Sequence, residues 1–177
     1  MNLPNFLTLL RVLMIPFFIF FMNLGNRVAL TVALLIFCLA SLTDALDGYL
    51  ARKNHQVTSF GELMDPLADK LLVLAALLTL ADKDLISSTF IFIIIGREFM
   101  VTGLRTVLAS EGKIMAAANS GKIKTVVQIA FVIFAIASLI WPINKNIVLI
   151  FAVLTLLTTV YSGFEYFWKN RNMLHLR

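Results

Sequence analysis

DALDGYLAR at residues 44–52 and GELMDPLAD at residues 61–69 set four aspartates, Asp44, Asp47, Asp65 and Asp69, between long apolar runs. Asp44 and Asp47 are three residues apart and Asp65 and Asp69 four apart, so on helices each pair lies along one face. A charge at the centre of a bilayer costs roughly 2.5–3.5 kcal/mol or more. Four carboxylates in one pocket also repel, by on the order of 3 kcal/mol per pair at ~5 Å and an effective dielectric of ~20. Protonation or bound cations must relieve that repulsion. Clustered carboxylate oxygens suit Mg²⁺ or Mn²⁺, and no His/Cys set has zinc spacing. Two divalent ions balance four aspartates, and paired metals are the usual clamp on both oxygens of an in-line displacement at phosphorus.

The rest of the chain carries few charges. Of 177 residues 60% are apolar and only 14% charged, against about 45–50% and about 25% in soluble domains, and the mean hydropathy is +0.91. One domain is expected over residues 1–177. A lone cysteine, Cys38, excludes an internal disulfide. The first basic residue is Arg11 and no small-residue cleavage site follows the first apolar run, so no cleaved signal is expected.

A membrane helix needs about 20 mostly apolar residues. Six stretches fit, at about 7–25, 28–52, 59–81, 86–109, 123–143 and 147–168. The expectation is an all-α integral membrane protein with six transmembrane helices and a short N-terminal interfacial segment at residues 2–8. With six spans, one side holds Arg11, Arg52, Lys53, Arg105, Lys113, Lys122, Lys124, Lys169, Arg171 and Arg177, and the other only Arg27, Lys83 and Lys145. The positive-inside rule then puts both termini, and the acidic site, on the cytoplasmic side of the cell membrane. The short link at residues 53–58 makes the second and third spans antiparallel neighbours, which lets all four aspartates meet at one level below that surface.

Several neighbouring residues suit a diphosphate. Gly48 and Gly61 admit either a ligand close to the backbone or a tight helix contact. Arg52 is a planar donor for phosphate or an anchor at the membrane edge. Arg105, Lys113, Lys122 and Lys124 form a basic cluster on the same side, either a phosphate site or positive-inside anchoring. Arg97 and Glu98 lie deeper and adjacent, so an internal ion pair competes with substrate contact.

The two quoted segments fit D-x-x-D-G-x-x-A-R, eight residues, then G-x-x-x-D-x-x-x-D, with every fixed position present: Asp44, Asp47, Gly48, Ala51, Arg52, Gly61, Asp65 and Asp69. This resembles the signature of the CDP-alcohol phosphotransferases. The resemblance implies a six-helix membrane enzyme, usually a homodimer, that moves a substituted phosphate from a CDP-linked donor to an alcohol and releases CMP. It further implies that Asp44, Asp47 and Asp65 bind metal, and that Asp69 reaches the metal site and acts as general base. Gly48, Arg52, Gly61 and Thr58, eleven positions after Asp47, would bind the CDP-diacylglycerol donor. NLPNFLTLLR near the start, GREFMVTGLR at residues 96–105 and GKIKT at 121–125 are similar to the branch of that family whose acceptor is glycerol 3-phosphate. For that acceptor, Arg105, Lys113, Lys122 and Lys124 are the expected contacts.

Two alternatives remain open. Another alcohol, such as inositol phosphate or serine, would keep the family chemistry. A cation or proton transporter would also use intramembrane aspartates, but the acid cluster lies near one surface with no matching acid opposite.

Overall fold

The computed structural model describes residues 3–54, 59–110, 112 and 119–171, with side chains described at 8–43, 67–110, 112 and 119–171. Six helices make up this part of the chain: α1 (Leu3–Leu24), α2 (Arg27–Asn54), α3 (Ser59–Ala81), α4 (Ser88–Ser110), α5 (Asn119–Ile140) and α6 (Lys145–Asn170). No strand occurs among the described residues. The expected fold is thus all-helical, with each helix within a few residues of its expected bounds.

The opening residues, expected as a short interfacial segment, are continuous with the first helix, since α1 runs unbroken from Leu3. Pro4 fits its first turn, where the missing N–H has no intrahelical acceptor in any case.

Tight turns with local caps hold neighbouring helices antiparallel. Gly25 takes φ 69° after α1, a conformation that suits glycine at a helix end, and Asn26 Oδ1 accepts from Ala29 N at 2.8 Å to open α2. Ser87 Oγ accepts from Phe90 N at 3.2 Å at the start of α4. Asn144 Oδ1 accepts from Asn146 N at 2.9 Å at the start of α6.

Small residues set how closely the helices pack. Ala29, Ala33 and Ala40 form a buried seam along α2, and Ala68, Ala75 and Ala76 line α3. Between apolar helices in lipid, close backbone approach and van der Waals contact drive association. Large side chains fill the remaining space: Phe18 meets Phe37 with ring centroids 6.0 Å apart, Phe90 meets Phe131 at 5.2 Å, and Phe134 stacks on Phe151 at 4.7 Å. α1 packs on α2 and α3, α2 also on α5, and α5 on α6, while the backbone of α4 approaches α3 and α6.

The outward faces are apolar. Phe17 and Phe20 of α1, Phe92 and Phe99 of α4, and Leu157, Val160 and Phe164 of α6 are all exposed in the isolated chain. By length and composition α5 and α6 are long and apolar enough to cross a membrane, with hydropathies of 2.3 and 2.2. Thr8–Leu24 and Arg27–Thr43 are shorter apolar helical stretches.

Candidate functional site

α2 is helical through Asp44 and Asp47, and α3 through Asp65 and Asp69, so the three- and four-residue spacings do place each pair along one helix face. The side chains of Asp44, Asp47, Gly48, Arg52, Gly61 and Asp65 fall outside the described ones, and Thr58 and Lys113 fall outside the described residues altogether. Among the described residues no group of three metal-ligating side chains occurs. Three of the four expected ligands are not among them.

Asp69 is described, and its position is informative. It is half-buried and lines a cavity of ≈ 290 Å³ between α3, α4, α5 and α6. Lys70, Arg97, Arg105 and Lys122 face the same cavity, with Glu98 as the second carboxylate. Among the described residues four cations face two acids there, a basic wall suited to an anion. Of the four expected metal ligands only Asp69 has a described side chain; its carboxylate is a hard oxygen donor of the kind that Mg²⁺ or Mn²⁺ takes.

The basic wall is held by a connected set of contacts. Glu98 accepts from Lys124 and lies 3.3 Å from Arg97 Nη1, so the expected Arg97–Glu98 ion pair is present and has a third member. Lys124 is buried, at 4% exposure, and its ion pair with Glu98 bridges α5 and α4. Burying these charges is tolerable because each has a partner. Arg97 crosses close to α6: a Cβ at Gly163 would sit 3.1 Å from its Cγ. Its Cζ lies 5.5 Å from the centroid of the Tyr166 ring, a cation–π distance. Its Nε and Nη2 are buried without a hydrogen-bond partner among the described residues. Arg105 Nη2 donates to Tyr166 Oη at 3.1 Å, and Lys70 Nζ donates to Thr102 Oγ1.

Of the expected acceptor contacts, Arg105 and Lys122 face this cavity together with Asp69. Lys124 does not. It lines a neighbouring space of ≈ 40 Å³ with Asp69, Glu98 and Gln128, a volume on the scale of a few water positions at most. Tyr166, Lys70 and Thr102 are site residues that the sequence reading did not assign. The spacing Glu98, Thr102, Arg105 on α4 and Gly121, Thr125, Gln128 on α5 is a polar helical stripe that would have signalled the wall. A comparable stripe on the otherwise apolar α6, Thr155, Thr159, Ser162, Tyr166 and Asn170, is buried along its whole length and carries Tyr166.

Residues 1–161 match the model of the CDP-alcohol phosphatidyltransferase family. The chain is 45% identical to a CDP-diacylglycerol–glycerol-3-phosphate 3-phosphatidyltransferase of Bacillus subtilis (strain 168), over 96% of this chain and 95% of that protein. It is 38% identical to proteins of the same name from Rickettsia felis (94% and 93% covered) and Haemophilus influenzae (93% and 91% covered). The match across both the aspartate helices and the cationic wall places this chain in the CDP-alcohol phosphatidyltransferase family.

Proposed function

We propose that this protein transfers the phosphatidyl group of CDP-diacylglycerol to glycerol 3-phosphate, giving phosphatidylglycerophosphate and CMP, a step of phospholipid biosynthesis. The relatives at 36–45% identity carry the name of that activity. The single observation that carries the reading is that Asp69 shares a cavity with Arg105 and Lys122. A carboxylate able to take a proton thus stands beside cations able to hold a phosphate.

The acceptor is close to dianionic and must approach a donor that is already a diphosphate. Arg105 is the main grip on its phosphate, since a guanidinium donates two parallel bonds to phosphate oxygens. Lys122 adds a point charge at the cavity mouth, where it is exposed. Asp69 takes the proton of the acceptor hydroxyl as that oxygen attacks the β-phosphorus. The phosphoanhydride bond breaks, and its electron pair leaves with CMP. Gly48, Arg52, Thr58 and Gly61 hold the CDP portion. Asp44, Asp47, Asp65 and Asp69 would hold two divalent ions, Mg²⁺ or Mn²⁺, which when bound supply neutralisation of the carboxylates and of the diphosphate.

The membrane setting belongs to the same reading. The proposed protein is one domain over residues 1–177, spans the cell membrane with all six helices, and works as a homodimer. Both termini and the site face the cytoplasm. Helices of 22–28 residues reach about 33–42 Å at ~1.5 Å per residue, enough for a core of about 30 Å. The apolar outward faces of α1, α4 and α6 support lipid contact, and the charge asymmetry between the two sides supports the orientation.

The test is purified protein with CDP-diacylglycerol and, in turn, glycerol 3-phosphate, inositol phosphate or serine, with CMP release as the readout. Release with glycerol 3-phosphate alone is the expected result. Release only with one of the others would move the chain to another branch, with the chemistry unchanged. Ion flux without CMP release would favour the transporter reading.

A further inference from the structure

Arg97 and Arg105 stand eight residues apart on α4, about 12 Å along the axis at ~1.5 Å per residue and roughly 80° apart around it at ~3.6 residues per turn. α4 alone does not bring the two guanidiniums to one ligand. Both nevertheless face one cavity, and both touch the same side chain. The ring of Tyr166 lies 5.5 Å from Arg97 Cζ, and its hydroxyl accepts from Arg105 Nη2 at 3.1 Å.

The ring itself is fixed in place. Tyr166 is 4% exposed although it lies only four residues from the end of α6. A Cβ at Gly121 would come 3.6 Å from Tyr166 Cε2 and 3.9 Å from its hydroxyl, so the ring lies along the start of α5 beside Lys122. Arg105 is exposed and would otherwise sample many rotamers. A tyrosine has only two side-chain torsions, so it can hold a flexible arginine at little cost in its own freedom.

We propose that Tyr166 is a positioning residue for the acceptor phosphate: its hydroxyl orients Arg105 and its ring face holds Arg97, so that both guanidiniums meet one anion. The inference rests on the acceptor reading of this cavity given above. It assigns selectivity for a phosphorylated over an unphosphorylated alcohol partly to α6, a helix with no part in the aspartate signature. Tyr166 touches both arginines, so the contribution proposed for it is to acceptor binding and not to bond breaking.

Tyr166→Phe keeps the ring and the Arg97 contact and removes only the hydroxyl. With purified protein at saturating CDP-diacylglycerol, it should raise KM for glycerol 3-phosphate by roughly 3–10-fold, the size of one lost hydrogen bond. kcat, the KM for CDP-diacylglycerol and the melting temperature should change little. Tyr166→Leu should raise the acceptor KM further, because Arg97 loses its ring as well. In a double-mutant cycle, adding Tyr166→Phe to Arg105→Ala should have almost no further effect, since the hydroxyl acts through Arg105. Fully multiplicative effects would overturn the proposal, as would equal rises in both KM values. If Arg105→Ala raises the acceptor KM but Tyr166→Phe does not, the proposal fails and the acceptor site stands. If Arg105→Ala itself leaves the acceptor KM unchanged, the acceptor reading falls and this inference falls with it.

Discussion

The four aspartates lie on two consecutive helices between Asp44 and Asp69, whereas the cations that face Asp69 come from α3, α4 and α5, with Tyr166 of α6 between two of them. The acidic wall is therefore local in sequence and the basic wall is assembled by the fold. Their supports differ in the same way. On the proposed reading, bound divalent ions neutralise the like charges of the acidic wall. On the basic wall, Glu98 lies between Arg97 and Lys124, so part of the charge is compensated inside the protein. On that reading, one wall depends on bound cations and the other on packing. Substitutions on the two walls should accordingly fail in different ways.

The largest effect is expected on the acidic wall. Asp44→Asn or Asp65→Asn keeps the side-chain shape and removes a ligand charge. Turnover should fall by more than the ~10–100-fold typical when only an outer-shell partner of a metal ligand is lost. A chelator should abolish CMP release from the unaltered protein, and added Mg²⁺ or Mn²⁺ should restore it. Near-normal release in a chelator would remove the distinction between the walls, because the aspartates would then need no cation.

Asp69 belongs to both walls, since it completes the aspartate set and lines the cationic cavity. Asp69→Asn should cost roughly 10²–10⁴ in turnover, the range for loss of a general base, while CDP-diacylglycerol still binds. A chiral phosphorothioate donor sharpens the test. Single displacement inverts the configuration at phosphorus, and retention would mean a covalent intermediate and a different role for Asp69.

The contrast between the walls also explains what was legible before folding. The aspartate pairs, six helices and short turns could be read because each depends on residues close in sequence: Asn26 and Asn144 at helix starts, Gly25 at a helix end, and apolar runs of helical length. The basic wall could be read only as a set of charges on one side. Which of those charges faces the cavity depends on how α4 and α5 are rotated about their axes. Packing decides that rotation, through small residues such as Gly163 and through Phe90 against Phe131. Thus Arg105 and Lys122 face the cavity with Asp69, while Lys124, only two residues from Lys122, turns inward to Glu98. Tyr166 did have a local signal, since it continues the stripe Thr155, Thr159, Ser162 at helical spacing while Tyr161 lies off it and is exposed; that stripe marks an inward face but not the guanidiniums it meets.

The smallest effects should separate those two lysines. Lys124 is buried, and without it Glu98 would still have Arg97 at 3.3 Å. Breaking a buried pair outright costs about 3–5 kcal/mol, and the remaining Arg97 contact should hold the loss from Lys124→Met to about 1–3 kcal/mol. That loss would read as a lower melting temperature of the detergent-solubilised protein. Lys122 is exposed at the cavity mouth, and exposed charge contacts are worth about 0–1 kcal/mol. Lys122→Met should therefore leave the melting temperature in place and raise the KM for glycerol 3-phosphate only a few-fold, more at low salt than at high salt. If Lys122→Met lowered the melting temperature and Lys124→Met altered only KM, the assignment of one lysine to packing and the other to substrate would be reversed.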